Sequence, residues 1–192
     1  MGLRGRTNFS DESFFFVTTS IINHFPIFKS YKYCDILVDN IRFYQNRYKF
    51  DILAYVIMPT HFHWVVRTEN KLGRISDVMR DIKSFSAKQI LEKLIERDRK
   101  EILEMFRDEA EDIHDQDHKI WQERFDDQVI RNEKMFWIKL RYIHNNPVKA
   151  GLVYRVEDYK YSSARNYIKG DHSVLFVDTT YAGIEIGRGG LL

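Results

Sequence analysis

Two histidines one residue apart, His61 and His63, are the side chains of this sequence best suited to bind a metal ion. They follow an apolar run and are followed directly by Trp64-Val65-Val66. Successive side chains of a β-strand point to opposite faces, so both imidazoles would project from one face while Phe62 and Trp64 enter the other layer. Two histidines at this spacing also occur as ordinary half-buried residues, so a second element is needed to decide whether this pair binds a metal ion.

A predicted helix further along the chain supplies a hydroxyl and an amide. Asn132 is the expected N-cap, and Pro147 is expected to end the helix. Tyr142 and Asn146 are four residues apart and therefore lie one turn apart on the same face. His144 points to nearly the opposite side of the helix, so it is the poorer candidate to join Tyr142 and Asn146 in a site. The alternative is that Tyr142 only covers the core.

Hydrophobic periodicity predicts the elements that must position these side chains. We expect strands at 13–19, 50–58 and 61–68, a short strand within 121–130, a helix at 32–47 and helix-forming sequence at 73–112 that breaks near 84–86. The order β-α-β-β-α-β predicts an α+β, ferredoxin-like fold, with the tyrosine helix added to it.

Length and composition favour one folded domain over residues 1–192, because 44% of the residues are hydrophobic and 15% are aromatic. Segment 92–119, with eleven acidic and six basic residues, is expected to be a solvated helical insertion, and a C-terminal tail is expected from about 171. No apolar run is long enough to span a bilayer and no signal-peptide core is present, so we expect a cytoplasmic protein. The single cysteine, Cys34, is expected to be a buried apolar residue.

Net charge is +2, but the acidic segment carries −5, so the rest of the chain carries +7. Basic side chains of this remainder that lie together on the surface would bind phosphate groups. We predict this role for five residues: Arg4, Arg6, Lys83, Arg131 and Lys149.

Five stretches occur in the order and with the character of one known family. They are AYVIMPTHFHWVV, KSFSAKQI, WQERFDDQVIRNE, LRYIHNNPVKAGLV and EDYKYSSARNY, within residues 14–167. The chain resembles the REP-associated tyrosine transposases, an IS200-like branch of the HUH single-tyrosine transposases.

The resemblance implies a ferredoxin-like or RRM-like antiparallel sheet with helices on one face and the histidines on a central strand facing the tyrosine helix. It also implies binding of single-stranded DNA that folds into REP hairpins, Mg²⁺ or Mn²⁺ as cofactor, and a 5′-phosphotyrosine intermediate. His61 and His63 match the metal ligands, Tyr142 the nucleophile and Asn146 the third ligand, for which Asn145 is a weaker substitute. Relatives include monomers and homodimers, and either state is open here.

Two departures from the family pattern are visible. Thr60 stands where relatives usually have Asn, and Gln128 where they often have His or a basic residue. We expect neither to touch the proposed catalytic set, although Gln128 bears on hairpin recognition.

The chemistry of the residues fits this assignment. A phosphodiester is a poor electrophile because its non-bridging oxygens share a negative charge, so cleavage needs a Lewis acid and a positioned nucleophile. Phenols, with pKa values near 10, are better leaving groups than alkyl alcohols, so a phosphotyrosine can be attacked by a DNA 3′-hydroxyl. Two other functions remain open: a non-catalytic hairpin-binding module, and a zinc hydrolase that would need ligands from Asp35, Asp39 or Asp126.

Overall fold

The computed structural model describes residues 12–69, 74–110 and 117–180, which form a four-stranded antiparallel sheet with flanking helices. In chain order the elements are β1 (Glu12–Ser20), α1 (Tyr31–Tyr48), β2 (Asp51–Ile57), β3 (His61–Glu69), α2 (Ile75–Glu96), α3 (Lys100–Asp108), β4 (Asp126–Val129), α4 (Glu133–Lys149) and α5 (Ala164–Lys169). The sheet order is β2-β3-β1-β4, so β3 is an internal strand. The predicted α+β class is confirmed, and the predicted strands agree with the structure to within two residues except at β4, which is shorter than the stretch that predicted it.

One face of the sheet packs against α1 and α2 through the larger part of the core. Phe62 and Trp64 of β3 point into this layer and are buried, as the alternation of the strand predicted. Cys34 of α1 lies in the same layer, where its thiol donates to the carbonyl of Phe28 at 3.1 Å. Burial raises the pKa of the Cys34 thiol to about 12, and the expected apolar role is confirmed.

The opposite face of the sheet packs against α4. Phe136, Leu140 and Ile143 form the buried stripe of this helix and meet Val56 and Val65 of the sheet. The N-cap prediction is confirmed, because the Asn132 side chain accepts a hydrogen bond from the backbone N–H of Met135 at 2.9 Å. The tyrosine helix is thus fixed against the face to which His61 and His63 point.

Two helix predictions are wrong. The break expected near 84–86 does not occur: α2 continues, and the hydroxyl of Ser86 is buried, where it accepts from Trp121 Nε1 at 3.2 Å. The break lies between α2 and α3, where Asp98 adopts a left-handed backbone conformation with φ 51°. Pro147 does not end α4, which runs to Lys149, because a proline this near the C-terminus removes only one helical hydrogen bond.

Parts of the two peripheral segments pack onto the core. In α3, Phe106 is fully buried and meets Phe25 edge-to-face, so the acidic segment is not wholly solvated as we expected. Residues 171–180 have no regular structure, yet Leu175 and Val177 are buried and Asp178 donates its N–H to the carbonyl of Ile52 at 2.9 Å. The glycine-rich end lies outside the described residues. Among the helices described, none has the length and apolarity to cross a membrane.

Candidate active site

The two histidines lie side by side on the α4 face of β3. Their ring centroids are 4.6 Å apart, with the ring planes inclined at 72°. His63 is 4% exposed, whereas His61 is partly exposed. The pair therefore has one ring enclosed by the protein and one at the edge of the solvent.

A threonine hydroxyl holds each imidazole at its Nδ1 atom. Thr18 of β1 is paired with His63 in the sheet, and its Oγ1 lies 2.7 Å from His63 Nδ1. Thr60 Oγ1 lies 2.8 Å from His61 Nδ1. When Nδ1 carries the proton and donates it to the hydroxyl, Nε2 has its lone pair available for a cation.

Thr60 corrects one expectation from the sequence. We expected it not to touch the catalytic set, but its hydroxyl orients His61 directly. Gln128 of β4 is paired with Phe16 of β1, and Phe16 in turn stacks on His63 with centroids 5.6 Å apart. Both departures from the family pattern are thus close to the histidine pair.

The environment keeps both imidazoles neutral at pH 7. Burial, followed by the charges of His61 and Lys139, lowers the pKa of His63 to about 3. Burial, followed by the charge of His24, also lowers the pKa of His61. A histidine must be neutral to bind a metal ion, so these two rings are in the protonation state that a ligand requires.

The α4 helix brings Tyr142 to the histidine pair. Its Oη lies 3.5 Å from His63 Nε2, too far for a strong hydrogen bond, and the two rings meet edge-to-face with centroids 5.2 Å apart. The tyrosine is 41% exposed. A phenol that is both accessible and next to an imidazole can reach a substrate bound between the two groups.

Asn146 shares the face of α4 on which Tyr142 lies. Its Nδ2 donates to the carbonyl of Tyr142 at 2.9 Å, which leaves Oδ1 as the atom able to bind a cation. In the described part of the chain no hydrogen bond joins Asn146 to either histidine, and no group of three His, Cys, Asp or Glu side chains is placed to hold a metal. A cation at this site would therefore depend on two imidazoles and an amide.

His144 is directed away from the site, as its position on the helix predicted. It is buried, and its Nε2 lies 2.8 Å from Ser163 Oγ. Ser163 Oγ also accepts the backbone N–H of Tyr55 of β2 at 2.9 Å. This contact ties α4 to the outer edge of β2.

Three side chains of the site were not predicted from the sequence: Phe16, Thr18 and Lys139. Phe16 packs edge-to-face on Tyr142 with centroids 5.9 Å apart, and the Lys139 ammonium lies 4.2 Å from the Phe16 centroid. Alternation along β1 places Phe16 and Thr18 on one face. Only the register between β1 and β3 shows that this face is the one with the histidines.

The predicted DNA-binding residues do not all lie on the α4 side. Arg131 and Lys149 are exposed at the two ends of α4. Lys83 lies on α2, across the sheet, where its ammonium donates to the carbonyls of Gln122 at 2.7 Å and Glu123 at 3.0 Å. Arg4 and Arg6 lie outside the described residues.

The carboxylates considered for a hydrolase do not converge on the histidines. Asp35 and Asp39 lie on α1, which covers the opposite face of the sheet. Asp35 accepts from Tyr161 Oη at 2.8 Å, and Asp39 pairs with Arg42. Asp126 of β4 is paired with Thr18 and is therefore one strand further from His63.

Comparisons with known proteins agree with this arrangement. The family model described as "Transposase IS200 like" matches residues 20–146. The "Putative REP-associated tyrosine transposase" of Haemophilus influenzae is 26% identical over 126 residues, which are 66% of this chain and 65% of that protein. The chain therefore spans slightly less than two thirds of the length of this relative.

A solved structure of a REP-associated tyrosine transposase bound to a REP hairpin superposes with a TM-score of 0.66 at 25% identity, covering 97% of this chain and 99% of that one. The fold is thus shared over almost the full length of both chains. Because the family model covers well over half of the sequence and includes both the histidine pair and Tyr142, this chain belongs to the family of IS200-like transposases.

Proposed function

We propose that this protein cleaves and rejoins single-stranded DNA beside REP-like hairpins, in the cytoplasm, through a 5′-phosphotyrosine on Tyr142. The observation that carries the proposal is the 3.5 Å separation between Tyr142 Oη and His63 Nε2, at a tyrosine that remains accessible. Membership of a transposase family supports DNA strand transfer. The hairpin in the complex of the structural relative supports the choice of substrate.

We propose that the histidine pair holds Mg²⁺ or Mn²⁺ as cofactor. Two neutral imidazoles with Nδ1 engaged by threonines would each have Nε2 available for the ion, and Asn146 Oδ1 would be the third protein ligand. With so few protein ligands, positions on the ion are left for substrate oxygens. When bound there, the cation would offset the negative charge on the non-bridging oxygens of the phosphodiester.

The nucleophile in this scheme is Tyr142 Oη. As the phenol loses its proton to solvent, a new bond forms between Oη and phosphorus, and the bond between phosphorus and the 3′-oxygen breaks. The departing 3′-oxygen takes up a proton and leaves with the segment 5′ of the cut, and the segment 3′ of the cut stays on the tyrosine through its 5′-phosphate. A 3′-hydroxyl can reverse these steps, so strand joining needs no external energy source.

Two arrangements in the protein assist this reaction. Packing of α4 on the sheet places the phenol before any substrate binds, so little orientation entropy is lost at the reacting atom. Exposed Arg131 and Lys149, at the two ends of α4, are positioned to contact phosphates on either side of Tyr142. Arg4 and Arg6 remain predictions for the same role.

The test is formation of a covalent adduct. Wild-type protein, Tyr142→Phe and Tyr154→Phe are incubated with Mg²⁺ or Mn²⁺ and single strands bearing the inverted repeats that flank the gene, then run on a denaturing gel. Tyr154 is the matched control because it is 99% exposed and equally able to react if exposure alone were sufficient. We expect adduct with wild type and Tyr154→Phe, and none with Tyr142→Phe, while all three still bind the DNA.

Two results would contradict the proposal. Undiminished adduct in Tyr142→Phe would exclude this tyrosine as nucleophile. Tight hairpin binding by the wild type without any adduct would instead identify the protein as a hairpin-binding module.

A further inference from the structure

Lys139 is a charged side chain of the site to which the proposed reaction gives no role. It lies three residues before Tyr142 on α4, so the two side chains are neighbours on the helix surface. Its ammonium lies over the ring of Phe16, 4.2 Å from the centroid. The same ring stacks on His63 and meets the edge of Tyr142, so ammonium, imidazole and phenol surround one phenylalanine.

The ammonium has no anionic partner in the described part of the chain. No ion pair or hydrogen bond joins Lys139 to another described residue, although the side chain is partly buried. Its cation–π contact offsets only part of the cost of removing an ammonium from water. Consistent with this, burial lowers the pKa of Lys139. An anion placed beside Tyr142 would provide the missing partner.

We infer that Lys139 binds a non-bridging oxygen of the phosphate that Tyr142 attacks, with Phe16 as the platform that holds the ammonium in place. The inference rests on the proposed function, which puts a phosphodiester next to the phenol. The geometry favours this role because an ammonium fixed on an aromatic ring is positioned before the substrate arrives. Charge that develops on the phosphate oxygens during attack would then meet a positive group that does not have to move.

The experiment compares Lys139→Met and Lys139→Arg with Arg141→Met. Methionine keeps the aliphatic contact with Phe16 and removes the charge, and arginine restores the charge. Arg141 is the matched control, because it is exposed on the same helix next to Tyr142 in sequence but on the other flank. The probes are a hairpin with a single-stranded extension that contains the cleavage site and the same hairpin without the extension.

We expect Lys139→Met to form adduct about 100-fold more slowly than wild type, the effect typical of losing one donor to developing charge. Lys139→Arg should recover most of this loss, and Arg141→Met should stay within about twofold of wild type. In a Tyr142→Phe background, which is expected not to cleave, Lys139→Met should weaken binding of the extended probe. The slope of the logarithm of its binding constant against the logarithm of the salt concentration should fall in magnitude by about 0.7. Binding of the bare hairpin should not change.

The inference is overturned if Lys139→Met behaves like Arg141→Met in both assays, or if it weakens both probes equally. Thermal unfolding of each variant separates loss of contact from loss of fold, and recovery by Lys139→Arg does so independently. If the wild type binds but forms no adduct, the proposed function fails. The comparison of extended and bare probes then still decides whether Lys139 contacts the strand next to Tyr142.

Discussion

Replacing Thr18 with valine should weaken metal binding without disturbing the sheet. The hydroxyl lies 2.7 Å from His63 Nδ1, and the imidazole is 4% exposed, so no water can readily take its place. Valine has nearly the shape of threonine and suits a strand, so the change removes one hydrogen bond and little else. In the tautomer that metal binding at Nε2 requires, it leaves the Nδ1–H of a buried imidazole without an acceptor.

The magnitude follows from that lost contact. Leaving a buried donor unpaired costs about 1–3 kcal/mol. Loss of a group that orients a histidine ligand typically costs 10–100-fold in metal affinity, or about 1.4–2.7 kcal/mol. We therefore expect the dissociation constant for Mn²⁺, measured by calorimetric titration, to rise by this factor in Thr18→Val. Thr18→Ser, which keeps the hydroxyl, should stay close to wild type.

The adjacent residue provides the control. Thr19 is buried on the other face of β1, and its hydroxyl has no partner among the described residues. Thr19→Val should leave Mn²⁺ affinity unchanged and stabilise the fold by about 1 kcal/mol in urea unfolding, because it removes an unpaired polar atom. Equal Mn²⁺ affinities in Thr18→Val and Thr19→Val would refute the claim that the Thr18 hydroxyl supports the ligand.

Three further predictions concern single side chains. His61→Ala should abolish metal binding and adduct formation with little change in the melting temperature, since this partly exposed ring faces the site. A lowered melting temperature with unaltered metal binding would instead indicate a core histidine. Hydrogen bonds from Ser173 and Arg165 hold the pKa of Asp171 well below its usual range, so its contribution to stability is present above about pH 4 and is lost as the pH falls further. The difference in unfolding free energy between wild type and Asp171→Asn should accordingly shrink from pH 7 to pH 3. Cys34 should resist thiol reagents in the native protein and react on unfolding, because burial raises its pKa to about 12.

The sequence predicted those parts of the site that depend on local structure. Alternation in a strand was enough to put His61 and His63 on one face, and helical spacing was enough to put Tyr142 and Asn146 one turn apart. The N-cap at Asn132 and the inward direction of His144 are equally local features.

Features that depend on distant residues escaped prediction. Thr18 reaches His63 only because β1 and β3 pair in one particular register, and nothing in either strand alone determines that register. The two serines that suggested a break in α2 proved misleading, because Trp121 supplies a buried partner for Ser86 and the helix continues. The contacts of the Lys83 ammonium with the carbonyls of Gln122 and Glu123 are equally long-range, and its phosphate-binding role stays a prediction.

The link from His144 to Ser163 secures α4 against the sheet of its own chain, so Tyr142 meets the His63 that belongs to the same polypeptide. Each molecule then carries both halves of the proposed reaction centre, and we expect that turnover per molecule does not vary with dilution. Mixing Tyr142→Phe with His63→Ala, each inactive alone, should give no complementation.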